Sequence, residues 1–94
     1  MAYSVKITPN ALRQLKKISK SNSIQIISKI ESILDDPLSH MIQLKGGNLY
    51  RLRVGDYRVI MSVDHGLLLI LVLEVGHRKN IYKNMWIIFF NVWV

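Results

Sequence analysis

The sequence predicts an α+β fold: a two-helix layer packed on one face of a small twisted, mainly antiparallel sheet, in the order β-α-α-β-β-β. Three observations carry that expectation. Apolar and polar residues alternate from Tyr3 to Thr8, the period-two signature of a half-buried strand. Apolar residues then recur at helical spacing in two stretches parted by the polar cluster Ser19–Ser23. The second half holds three extended runs separated by the short turns Gly55-Asp56 and Asp64-His65-Gly66. With 94 residues, the chain has room for one domain around a single two-layer core.

The first strand is expected over Ala2–Thr8, with Tyr3, Val5 and Ile7 on one face. Thr8-Pro9 reads as a helix start, Thr8 as N-cap and Pro9 at the first helical position. Ala11, Leu12, Leu15 and Ile18 form the apolar side of that helix, and Arg13, Lys16, Lys17 and Lys20 lie around the others. Ser19–Ser23 breaks it and caps a second helix, expected from about Ser23 to Leu34 with an apolar stripe of Ile26, Ile27, Ile30, Ile33 and Leu34. Asp35-Asp36-Pro37 stops this helix, because a residue before proline disfavours the α conformation. Pro37–Gly47 reads as a loop. Asn48–Val54 and Tyr57–Val63 form a hairpin about Gly55-Asp56, whose leading glycine suits a type II′ turn. Leu67–Val75 is almost unbroken apolar sequence, the mark of a central covered strand, and Gly76 is expected to end it. No repeat or linker interrupts the run, so a single domain is expected over residues 1–84, followed by a hydrophobic tail over 85–94.

Cysteine is absent, which removes disulfides, thiolate metal sites and cysteine nucleophiles together and fits a reducing cytosol. The start MAYSVKIT lacks the apolar core of a signal peptide. The longest apolar runs, Leu67–Leu73 and Met85–Val94, fall short of the roughly 20 residues that span a bilayer. A cytoplasmic protein without membrane association is expected. The formal net charge of +7 points to nucleic acid, an acidic protein or an anionic membrane surface as partner.

Three arginines fall within eight residues of YRLRVGDYRVIMSV, from Tyr50 to Val63. Residues two apart on a strand share a face. Tyr50, Leu52 and Val54 suit the helix-covered side, as do Tyr57, Val59, Met61 and Val63. Arg51, Arg53 and Arg58 fall on the other side, for which the chain supplies no second layer. The turn brings Arg53 and Arg58 close together, where like charges repel. Solvated basic residues also guard sheets against aggregation, but clustered arginines with carboxylates only at the turns suit phosphate better, since the guanidinium fork keeps its charge at any pH. Gly76-His77-Arg78-Lys79-Asn80-Ile81-Tyr82-Lys83 follows the last strand and adds further basic groups. Taken singly, His77 reads as a hydrogen-bonded histidine at a strand end and Tyr82 as a packed aromatic with a wet hydroxyl.

The hairpin LYRLRVGDYRVIMSV, followed by an apolar strand and VGHRKNIY, resembles the toxins of the RelE/ParE superfamily of prokaryotic type II toxin–antitoxin systems, over residues 2 to about 83. RelE-like members are ribosome-dependent endoribonucleases that cut messenger RNA in the A site and so inhibit translation. Gly76-His77-Arg78 and Tyr82 make the RelE-like branch the closer one. The resemblance implies catalytic roles for Arg58 and Arg78, as the charge clamp on the transition state, and for Tyr82. It implies RNA contacts for Lys45, Arg51 and Arg53, with His77, Lys79 and Lys83 beside them. Attack of a 2′-hydroxyl on its own phosphate needs no metal and no cofactor, and none is expected. Arginine does not give up its proton, so the base is left among Tyr82, Lys45 and His77, the last being the side-chain type that titrates near neutrality unaided.

The resemblance also implies partners: a cognate acidic RelB-like antitoxin, the ribosome and its mRNA, and promoter DNA only through the antitoxin complex. A ParE-like inhibitor of DNA gyrase, or a catalytically weak relic that mainly binds its antitoxin, is the alternative. The tail Met85–Val94, apolar at every position except Asn91, departs from the family pattern. Three readings of it are open from sequence: a segment packed back on the sheet or a helix groove, one buried in a partner subunit, and a drifted end.

Overall fold

The computed structural model describes residues 2–44 and 47–81. Its elements are β1 (Ser4–Ile7), α1 (Pro9–Lys17), α2 (Lys20–Ser32), a 3₁₀ turn (Pro37–His40), β2 (Ile42–Gln43), β3 (Leu49–Val54), β4 (Tyr57–Asp64) and β5 (Leu69–His77). The five strands form one sheet in the order β1-β5-β4-β3-β2. β1 runs parallel to β5, and the other neighbours are antiparallel. This is the expected two-helix layer on a mainly antiparallel sheet. The segment 37–47 is not all loop, since it contributes the 3₁₀ turn and the two-residue β2 on the rim of β3.

Local chemistry sets the helix ends. The Thr8 hydroxyl accepts from the Ala11 amide at 3.3 Å and donates to the Val72 carbonyl at 2.8 Å, so one cap also fastens α1 to β5. The second helix begins at Lys20, earlier than the sequence suggests, because Ser19 and not Ser23 is its cap: Ser19 Oγ accepts from the Asn22 amide at 3.3 Å. Ser23 instead donates to the Leu15 carbonyl at 2.6 Å, satisfying one of the carbonyls orphaned at the end of α1. Three serines in one cluster each had the chemistry to cap, and the tight corner between the helices selected the first.

The core lies between helices and sheet. Ala11 and Leu15 of α1 and Ile26 and Ile30 of α2, with Ile33 just beyond, meet Leu52, Val59, Met61, Val63, Ile70 and Val72. Each large side chain so buried contributes about 1.5–3 kcal/mol.

β1 pairs with β5 only as far as Val72. Past that point side chains of α1 take over. Asn10 Nδ2 donates to the Leu73 carbonyl at 3.0 Å and to the Glu74 carboxylate at 2.9 Å. Gln14 donates to the same carboxylate and accepts from the Val75 amide at 2.7 Å.

Two expectations are corrected on β5. Gly76 does not end the strand; it pairs with Arg58, and the strand runs on through His77 opposite Tyr57. The glycine is there because Ile81 packs against it: a Cβ on Gly76 would sit 3.1 Å from Ile81 Cδ1, and glycine inside a strand often marks such a close approach. The face away from the helices is therefore not bare. Ile60 and Ile81 are fully buried there, with Leu44 against them. The expected tail over 85–94 lies outside the described residues.

Candidate functional site

The β3–β4 hairpin forms as its sequence dictates. Val54 pairs with Tyr57 across Gly55-Asp56. Gly55 has φ +57° and is the only residue of the two-residue turn with a positive value, as a type II′ turn requires. Arg53 and Arg58 then stand directly opposite one another. On the other side of β4, Arg58 faces Gly76, which has no side chain to crowd it.

Arg58 does not project freely into solvent. It is 6% exposed, and its Nη1 donates to the carbonyls of Gly55 and Tyr57, both at 2.8 Å. The hairpin's own turn thus supplies the acceptors that offset burial of the charge. Both bonds are made by one terminal nitrogen. Arg53 is exposed and Arg51 half-buried, the latter paired with Ile60 on β4.

Arg78 is brought to the same end of the sheet. Its amide donates to the Asp56 carbonyl at 2.8 Å, and its Nε lies 3.9 Å from the Asp56 carboxylate, both side chains being largely exposed. Among the described residues the turn therefore gathers Arg53, Arg58 and Arg78, with one carboxylate among them. Lys79 is exposed just beyond.

His77 does not join them. It is the cross-strand partner of Tyr57, and facing residues share a side of the sheet. Its ring packs edge-on against Tyr57, with centroids 5.7 Å apart and planes at 77°, and its Nδ1 accepts from the Lys79 amide at 3.2 Å. Tyr57 belongs to the helix-side core and reaches Asn22 of α2 through its hydroxyl at 3.5 Å. A register shift between Ile60 and Met61 in the β4–β5 pairing causes this, because a bulge moves every later residue to the opposite face. Lys45, Tyr82 and Lys83 lie outside the described residues.

The sequence reading did not single out Asp56 as an ion partner. It also overlooked an open groove of about 460 Å³ beside Arg53, walled by Gln25, Ser28 and Lys29 of α2 and by Val54 and Gly55. The i, i+3, i+4 spacing of those three helical residues was the available signal. No group of three or more His, Cys, Asp or Glu suited to a metal occurs among the described residues, and no helix among them is long and apolar enough to cross a membrane.

Known proteins share this fold. Residues 5–82 fit the family described as the ParE toxin of the type II toxin–antitoxin system parDE. The chain is 29% identical over 89 residues to a protein named as a toxin, RelE1, of Methanocaldococcus jannaschii, covering 89% of this chain and 99% of that one. The archaeal RelE–RelB complex of Pyrococcus horikoshii is similar at 32% identity and TM-score 0.73, over 83% of this chain and 97% of its own. The RelBE2 toxin–antitoxin complex of Mycobacterium tuberculosis shares the fold at TM-score 0.76 and 22% identity, over 82% and 99%. Fold and family match together are those of a small toxin of the type II toxin–antitoxin class. The chain belongs to the ParE toxin family, within the RelE/ParE superfamily.

Proposed function

We propose that the chain is a ribosome-dependent endoribonuclease of RelE type, cutting messenger RNA in the A site. The observation that carries this reading is the register that sets Arg53 opposite Arg58 while the Asp56 carbonyl holds Arg78 at the turn they share. A phosphodiester entering that end meets guanidinium groups from two strands and from the segment after a third. Attack of the 2′-oxygen on phosphorus breaks the bond to the 5′-oxygen, and the proton lost at one oxygen is made good at the other. Arg78 is the exposed clamp on the phosphoryl oxygens, and Arg58 is the preorganised one, fixed by its two carbonyl bonds. Tyr82 and Lys45 are the proposed proton-handling groups. His77, turned toward Tyr57, is not one of them. Arg51, Lys79 and Lys83 contribute contacts to RNA phosphates. The ribosome supplies orientation, which accounts for a large part of such a barrier.

The proposed partner is an acidic RelB-like antitoxin. The Pyrococcus horikoshii and Methanococcus jannaschii relatives form complexes with RelB, and the +7 charge of this chain favours an acidic companion. Promoter DNA is reached through that complex, in the cytoplasm.

A second reading has its own support: the matching family is that of ParE, and Arg58 is buried. On that reading the chain inhibits DNA gyrase, or is a weak toxin that mainly holds its antitoxin. Inducing the chain in cells and mapping mRNA 5′ ends separates the two. Codon-positioned cuts that vanish with Arg78→Ala support the nuclease. Absence of such cuts, with purified chain blocking gyrase supercoiling, establishes the second reading in its place.

A further inference from the structure

The groove beside Arg53 is basic. Lys29 contributes an ammonium, Arg53 a guanidinium, Gln25 an amide and Ser28 a hydroxyl, and no carboxylate lines it. Neither cation has an acidic partner within ion-pair distance among the described residues. About 460 Å³ falls in the range of small-ligand sites and accommodates a group of nucleotide size. The groove is continuous with the hairpin end through two residues. Arg53 lines it and also faces Arg58; Gly55 lines it and accepts the Arg58 hydrogen bond.

From this we infer that the groove between α2 and the β3–β4 turn is a second phosphate subsite, holding a backbone phosphate of the same RNA strand outside the scissile linkage. Lys29 supplies the charge, while Ser28 and Gln25 donate hydrogen bonds. The inference rests on the nuclease reading for its substrate class. The donor set favours RNA over an acidic protein segment. A peptide docking groove needs apolar pockets for anchoring side chains, and Val54 is the one apolar residue of this lining. Phosphate contacts of this kind position a strand and add affinity without reading bases.

The test uses the full chain and a short 2′-O-methyl RNA strand, which the proposed chemistry cannot cut, with affinity followed by fluorescence anisotropy across a salt series. Lys29→Ala is compared with Lys17→Ala, an exposed lysine of α1 outside the groove. Removing one phosphate contact reduces the slope of log K against log salt by about 0.7 for a single strand. Lys29→Ala is expected to show that change with a severalfold loss of affinity at low salt, Ser28→Ala a smaller loss, and Lys17→Ala neither. Unchanged melting temperatures confirm that the variants fold. Equal slopes for Lys29→Ala and Lys17→Ala overturn the subsite, even when Arg78-dependent cleavage in cells stands. Lys29→Ala weakening capture of an acidic peptide but not of RNA overturns it in favour of a protein partner. No RNA binding by the unaltered chain overturns the subsite, while the nuclease reading stands or falls by the mapped mRNA ends.

Discussion

Gly76 and Ile81 touch: a methyl group on the glycine would meet Ile81 Cδ1 at 3.1 Å and its Cβ at 3.5 Å. Ile81 is fully buried on Ile60, so it has little room to retreat. Gly76→Ala asks the tip of that side chain to give by a few tenths of an ångström, a cost offset by the strand propensity gained, leaving stability within about 1 kcal/mol of the parent. Gly76→Val drives a branched side chain into the same contact and is expected to cost about 1–3 kcal/mol. Urea unfolding of the two variants measures the difference; equal stabilities would show that the contact imposes no constraint.

Arg58 and Arg78 are expected to separate in a thermal melt. Arg58→Ala strips two hydrogen bonds from a nearly buried guanidinium and leaves the turn carbonyls short of a donor. A loss of about 1–3 kcal/mol follows. Arg78→Ala removes an exposed side chain with one long ion pair and stays within about 1 kcal/mol of the parent. Loss of RNA cleavage in Arg78→Ala therefore reports chemistry directly, whereas in Arg58→Ala it mixes chemistry with folding.

Asp56 is the carboxylate beside Arg78, and it competes with any phosphate for that guanidinium. Asp56→Asn is expected to tighten binding of an uncleavable RNA severalfold at low salt, an advantage that shrinks as salt screens it. Its stability changes by less than about 0.5 kcal/mol, as for an exposed pair. Anisotropy titration checks the sign: weaker binding would mean that Asp56 serves RNA by ordering Arg78.

Gln14 joins the Val75 amide to the Glu74 carboxylate. Gln14→Ala leaves that amide without its acceptor, at a cost of about 1–3 kcal/mol. Hydrogen exchange is expected to quicken at Val75 and its neighbours while Ile70, in the strand-paired half of β5, keeps its protection. Uniform protection loss along β5 would instead indicate global destabilisation.

Much of the fold was legible because its signals are local. Thr8-Pro9 caps and starts a helix by chemistry contained in two residues, and Gly55 makes its turn by its own φ. The two faces of the β3–β4 hairpin follow from period two alone, which is why Arg53 and Arg58 were placed together correctly. What escaped depends on contacts distant in sequence. Gly76 looked like a strand end because only Ile81, folded back on the sheet, explains a glycine there. The burial of Arg58 depends on carbonyls that the turn presents only once it has formed. The direction of His77 follows from the shift between Ile60 and Met61; without it, the same letters would turn the imidazole toward the arginines.

Asn10, which donates to the Leu73 carbonyl, and Gln14, which accepts from the Val75 amide, form hydrogen bonds that have a consequence for assembly. They occupy the backbone groups with which β5, past the end of β1, would pair an incoming strand, so residues 73–75 are closed as a template for another chain. An isolated β-rich toxin thereby avoids self-polymerisation along its most apolar strand. A companion that joins the sheet by backbone pairing must approach from another rim.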